Sequence, residues 1–251
     1  MKTILLAGVF VAGALAQNWT EPPPLIQLHR LTGTASPMIR RYADATAAVN
    51  VVGMTSITGQ TESWLVAMHD SFRSIEDVDK TVHPPPSLSG TDEVLDQPSE
   101  GAPSTSRSMI ASYRPAWSYR PDQAIQMLRK ARYCQLSIYR IRPGTEADFA
   151  ELVKSRSALF DSINLDRPEI AYHVISGAPS ETFLFLAPLA SLKILDDGLE
   201  RAPAHAEGRA AAVKAREFTR EHLLFRIEPA MSWVSDDFAS ADPEFWRGKA
   251  R

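Results

Sequence analysis

The segment Met109–Asp122, MIASYRPAWSYRPD, returns in altered form as LLFRIEPAMSWVSDD near the other end of the chain. At a spacing of 114 residues, Pro115 meets Pro229, Ala116 meets Ala230, Ser118 meets Ser232 and the aromatic Tyr119 meets Trp233. Self-similarity at a fixed spacing is the mark of a unit built more than once. The order of elements before each echo decides what that unit is.

In the first half, Leu25–Leu31 (LIQLHRL) reads as a strand, and Ser36-Pro37 as an N-cap followed by a proline at the first helical position. That helix is predicted to run to about Asn50. VVGMTSITG and ESWLVAMH then form a hairpin about Gly59-Gln60-Thr61, and Asp70 caps a helix over SFRSIEDVDKTV. The second half repeats the order. CQLSIYRI is a strand, and Thr145 with Asp148 resembles a capping box. Phe149, Leu152, Val153, Leu159 and Phe160 follow at helical spacing. PEIAYHVISG and ETFLFLAPL form a hairpin about GAPS, His205–Arg220 is helical, and HLLFRIEPAMSWV is a fourth strand. The expected fold class is α+β, with two tandem ferredoxin-like β-α-β-β-α-β units over 17–122 and 123–251. Residues 83–107, rich in Pro, Ser, Gly and acids, have no apolar period and read as an exposed loop inside the first unit. The boundary between units falls in Pro121–Arg132.

Residues 1–16 (MKTILLAGVFVAGALA) carry Lys2, an uncharged apolar run and the order Ala14-Leu15-Ala16, the layout of a secretory signal cleaved before Gln17. The apolar run is too short to span a bilayer of about 30 Å, so no membrane span is expected after cleavage. A periplasmic or secreted product of Sec-type export is the expectation, and export before folding disfavours cofactors inserted in the cytoplasm. Cys134 is the single cysteine, so no internal disulfide can form, and its strand context makes it a small buried hydrophobe. A net charge of −3 with both signs dispersed argues against nucleic acid. The basic run Arg129-Lys130-Ala131-Arg132 reads as a solvated helix end.

The two strand-helix-hairpin-helix-strand runs, SYRPAWSYRP and the terminal SADPEFW resemble the dimeric α+β barrel superfamily. Within it they are similar to NIPSNAP-like proteins, in a tandem form found among exported bacterial proteins. The resemblance implies that two four-stranded sheets pack face to face, so that one chain makes the barrel as a monomer or a homodimer of such chains. It also implies a cavity between sheet and helices, where relatives hold a small aromatic molecule, haem, or nothing known.

No GxGxxG, GxxxxGK[ST], HExxH or GxSxG motif is present, nor a Cys/His pair at zinc spacing. No cofactor is expected, with haem kept as the alternative. His173, inside IAYHVIS, is the candidate catalytic residue: a shielded imidazole serves as a base, a haem ligand or a hydrogen-bonded core group. His29 and Tyr139 occupy equivalent places in the first strands and would orient a ligand's polar group in the barrel. Tyr113, Trp117, Tyr119 and Trp233 are candidate aromatic ligand contacts, or alternatively a packed strand face. No metal site is expected; Asp236, Asp237, Asp242 and Glu244 lack calcium-loop spacing and stay in water while Phe245 and Trp246 pin the tail. Three readings stand: binding of a small apolar or aromatic molecule in the barrel, a cofactor-independent monooxygenase or haem-dependent oxidoreductase, or a structural, partner-binding module.

Overall fold

The computed structural model describes residues 20–32, 50–68, 75–78, 106–201 and 217–248. Eight antiparallel strands within them close into a barrel: β1 (Leu25–Thr32), β2 (Asn50–Ser56), β3 (Glu62–Met68), β4 (Ser106–Tyr113), β5 (Tyr133–Ile141), β6 (Ile170–Ser176), β7 (Thr182–Leu189) and β8 (Glu217–Ile227). Around the barrel the order is β4-β1-β3-β2 and then β8-β5-β7-β6, the ferredoxin-like order stated twice. The two sheets meet at two seams, β2 with β8 and β4 with β6. Among the described residues the α-helices are α1 (Pro121–Leu128), α2 (Glu146–Ser162), α3 (Lys193–Arg201), α4 (Asp236–Ala239) and α5 (Pro243–Arg247).

Side chains alternate across each strand, so one residue in two enters the barrel. Ile26, Leu28, Met54, Trp64, Met68, Leu136, Tyr172, Leu184 and Phe225 form one buried cluster there. The Trp64 and Phe225 rings meet edge to face at 5.9 Å. An eight-stranded barrel is just wide enough for side chains to fill, and each large apolar side chain buried stabilises by roughly 1.5–3 kcal/mol. The expected ligand chamber inside the barrel is therefore a packed core. His29 and Tyr139, expected to point into it, lie on the opposite face of their strands from Leu28 and Ile138.

The echoed segments are not strand throughout. β4 ends at Tyr113 and β8 at Ile227, and each is followed by a 3-10 turn, Pro115–Trp117 and Pro229–Met231. Proline lacks the N–H that a further ladder bond would need. Ser118 Oγ donates to the Arg114 carbonyl at 3.0 Å and accepts the Ala171 N–H at 2.9 Å. Ser232 Oγ donates to the Glu228 carbonyl at 2.8 Å and accepts the Gly53 N–H at 2.9 Å. Tyr119 then pairs with Glu169, and Trp233 with Val51, as single bridges. Each copy of the motif thus fastens the last strand of one sheet to the second strand of the other, which is why the residues recur.

Several expectations shift. Asn50 opens β2 instead of closing a helix, Ser106 and Arg107 belong to β4 instead of the loop, and Glu217–Arg220 begin β8 instead of ending a helix. The longer alternating run out-competes the helical reading where the partner strand extends beside it. Thr145 precedes α2 but caps nothing; its hydroxyl donates to the Arg142 carbonyl at 2.7 Å. Of SFRSIEDVDKTV, only the 3-10 turn Ile75–Val78 is described. The signal segment, Ser36-Pro37, Asp70, Pro84-Pro85-Pro86 and His205 lie outside the described residues.

The expected boundary is part of the core. Ala124, Ile125 and Leu128 of α1 join the barrel cluster, together with Phe238, Ala239 and Trp246 of the tail. The basic run is not a solvated end: Arg129 donates to the carbonyls of Asp237 and Phe238, and Arg132 pairs with Asp242 at 2.5 Å, its guanidinium 4.0 Å from the Phe245 ring centre. Asp242 accepts the Phe245 N–H, and Asp236 pairs with Arg247 at 2.8 Å, so these two tail acids are partnered.

Cys134 is 2% exposed in the same core, and burial pushes its thiol pKa up to about 12. A protonated thiol is a poor nucleophile. Native protein should therefore resist a disulfide reagent at pH 8 and react at once in denaturant; stoichiometric native labelling within seconds would contradict the packing.

Candidate functional site

The outer face of the second sheet carries a second buried cluster. Tyr139 and Ile141 of β5, Ala171 of β6, and Phe183 and Phe185 of β7 face Phe149 and Val153 of α2, with Trp117 and Leu152 at the margin. Phe149 stacks on Phe183 at 5.4 Å, Trp117 meets Phe183 at 4.7 Å and Phe149 at 5.4 Å, and Tyr139 meets Phe185 at 5.4 Å. Offset and edge-to-face rings at these distances hold one another more tightly than area alone accounts for.

His173 sits at the edge of this cluster, half-buried instead of shielded, its ring parallel to Phe183 at 4.6 Å. The Arg114 guanidinium lies 2.8 Å from its Nδ1. Arginine only donates, so Nδ1 accepts and the ring proton resides on Nε2. Burial lowers the His173 pKa, Arg114 lowers it further and Glu146 opposes them. The folded value lies below the unfolded one, so this group weakens the fold as pH falls through the ordinary histidine range. Near neutrality His173 presents a neutral Nε2–H donor, to which no described residue is bonded.

Two carboxyls border the same edge. Glu146, first residue of α2, is held below the usual range, chiefly by a hydrogen bond from its own backbone N–H. Glu181 is raised by burial and by the neighbouring Glu146 carboxylate. Together Arg114, His173, Glu146, Glu181 and Trp117 make a half-open polar rim on an aromatic wall.

Of the sequence candidates, His173, Trp117 and Tyr139 are brought together here. The others are not. Tyr113 packs inside the barrel against Tyr172 at 5.9 Å, and burial raises its pKa. Tyr119 donates to Asp161 at 2.5 Å, packs on Phe160 at 5.6 Å, and has its pKa pushed up to about 12, chiefly by burial. Trp233 is 38% exposed on the β2 seam. His29 accompanies Ser108 at 2.8 Å on the first sheet's outer face. Tyr113, Trp117 and Tyr119 thus share no strand face, because the 3-10 turn rotates each successive residue. Sequence reasoning missed Arg114, Glu146, Glu181 and Phe183. Only Arg114 carried a signal, being the residue before the echoed proline.

No protein-family model matches the chain, and no curated protein matches it by sequence. Solved structures do. A candidate monooxygenase from Lactobacillus acidophilus superposes with a TM-score of 0.51 at 11% identity, covering 82% of this chain and 94% of that one. An anthrone oxidase-like protein gives 0.50 at 11%, covering 81% and 91%. A chlorite dismutase variant from Candidatus Nitrospira defluvii gives 0.50 at 7%, covering 87% and 95%. The fold is the α+β barrel. At such identity the likeness is one of architecture, and chemistry has to be argued from residues.

Haem is the cofactor that the sequence resemblance raised, and the described site does not fit it. Phe149, Phe183 and Phe185 are each at most 2% exposed, and Phe149 is in ring contact with both of the others, so the interval between α2 and the sheet is filled there. The Nδ1 of His173 is taken by Arg114, and its Nε2 carries the proton. Among the described residues no three His, Cys, Asp or Glu converge on a metal position, and no helix is long and apolar enough to cross a membrane.

Proposed function

We propose that the protein binds a small aromatic molecule bearing an acceptor oxygen at the rim formed by Arg114, Trp117, His173 and Phe183. One observation carries this reading: a neutral imidazole, stacked on Phe183 and locked by Arg114, presents a half-buried N–H beside an aromatic wall. Aromatic walls with a few fixed donors are the usual make-up of small-molecule sites. The signal-like residues 1–16 support export to the periplasm or beyond, and the doubled motif supports a tandem, NIPSNAP-like origin for the single-chain barrel. The Pro-rich segment supports the third reading, of a partner-binding module, by composition alone.

A second reading is favoured by the same donor. A neutral N–H aimed at a substrate oxygen stabilises the enolate formed on deprotonation, as oxyanion donors do. A cofactor-independent oxidation such as anthrone with dioxygen to anthraquinone and water is of this kind, and the monooxygenase-like neighbours support it. Here His173 acts as donor instead of the base the sequence suggested.

Anthrone tests both. It should quench Trp117 fluorescence saturably, and His173→Phe, which keeps the ring and removes the donor, should weaken binding about tenfold, the worth of one half-buried hydrogen bond. Unchanged affinity in that variant would remove the binding proposal. Oxygen uptake above the uncatalysed rate separates the oxidase from the plain binder.

A further inference from the structure

Beneath the C-terminal half of α2 the same outer face carries a different cluster. β5 presents Gln135, Ser137 and Tyr139 there in succession, and Glu169 lies two residues before Ala171 of β6. The Arg156 guanidinium of α2 donates to the Tyr139 hydroxyl at 3.0 Å and to the Glu169 carboxylate, and lies 4.4 Å from the Phe185 ring centre. Arg167 donates to Gln135 Oε1 at 2.6 Å and lies 5.5 Å from the Phe160 ring centre. Burial lowers the pKa of Arg167 and Arg156 lowers it further, while Glu169, itself 1% exposed, opposes them. Two guanidinium groups therefore stand near one buried carboxylate, which pairs with Arg156. The Nε of both arginines is also buried without a hydrogen-bond partner.

A buried surplus cation is expensive, and an orphaned donor beside it adds to the cost. Both are relieved by an anion with two acceptor oxygens. The Nε and an adjacent Nη of a guanidinium form the edge that a planar carboxylate matches in two parallel hydrogen bonds. Aromatic rings of Tyr139, Phe160 and Phe185 floor the cluster, and Arg167, although its Nε is buried, is half-buried as a whole residue. We infer that Arg156 and Arg167 form a binding site for the carboxylate of a small aryl acid, distinct from the His173 rim and independent of it.

The probe is benzoate, with benzamide as its neutral isostere, at constant ionic strength. Benzoate should raise the melting temperature of the full chain saturably, benzamide should not, and Arg167→Met should weaken the benzoate effect about tenfold, as the loss of a charge-assisted pair implies. Should Arg167→Met fail to fold, the wild type decides alone: the Arg156 and Arg167 Nε–H resonances must move on benzoate addition. Equal effects of benzoate and benzamide, an undiminished effect in a folded variant, or unmoved Nε–H signals would overturn the site. Inorganic phosphate displacing benzoate with higher affinity would reassign it to tetrahedral anions. Anthrone binding at Trp117 is unaffected by any of these results.

Discussion

Gly53→Val is expected to cost roughly 3 kcal/mol or more, enough to unfold much of a marginally stable chain. A Cβ at Gly53 would stand 2.7 Å from Met231 Cβ and 2.8 Å from the Met231 carbonyl carbon, and closer still to its oxygen. Neither side can yield cheaply. Gly53 accepts the Glu228 N–H at 2.9 Å and donates to Ser232 Oγ, so shifting β2 breaks the seam with β8. The other seam has Ala171 at the equivalent place and tolerates a Cβ, which confines the constraint to one of the two fasteners. Urea unfolding checks this. A variant within about 0.5 kcal/mol of wild type, the range of an unremarkable surface change, would refute the close approach.

Arg156→Met should destabilise by roughly 3 kcal/mol, because removing one partner of a buried pair strands the other charge. Glu169 is left 1% exposed with the neighbouring Arg167 to offset it, and the Tyr139 hydroxyl loses the Arg156 hydrogen bond. Adding Glu169→Leu should recover only part of the loss: apolar replacement of a whole buried pair is often neutral, but Arg167 then lacks the carboxylate that offsets it. Chemical denaturation of the single and double variants measures the coupling. If the double variant were as unstable as the sum of the singles, the side chains would be packing elements and not an ion pair.

Much of the fold was legible because alternation and turn residues act locally. LIQLHRL, CQLSIYRI and IAYHVIS read as strands from their own pattern, and the echoed prolines mark the ends of β4 and β8. The site was less legible. His173, Trp117 and Tyr139 were named, yet their common face was not, since Trp117 reaches it through a turn that sequence alternation treats as strand. Arg114, Glu146 and Glu181 assemble from a strand end, a helix start and a hairpin. No spacing rule joins residues so far apart in sequence.

Local alternation and turn residues were enough to place most strands in chain order and to separate the two faces within each. Which face looks into the barrel was decided only by tertiary structure. In β7 every residue from Thr182 to Leu189 is buried, one face by the barrel and the other by α2, so hydrophobicity carries no sign of inside and outside. The same ambiguity placed His29 and Tyr139 inward by expectation and outward in fact. The tautomer of His173 follows from Arg114, 59 residues away in the chain, because closing the β4–β6 seam brings a group that can only donate against Nδ1.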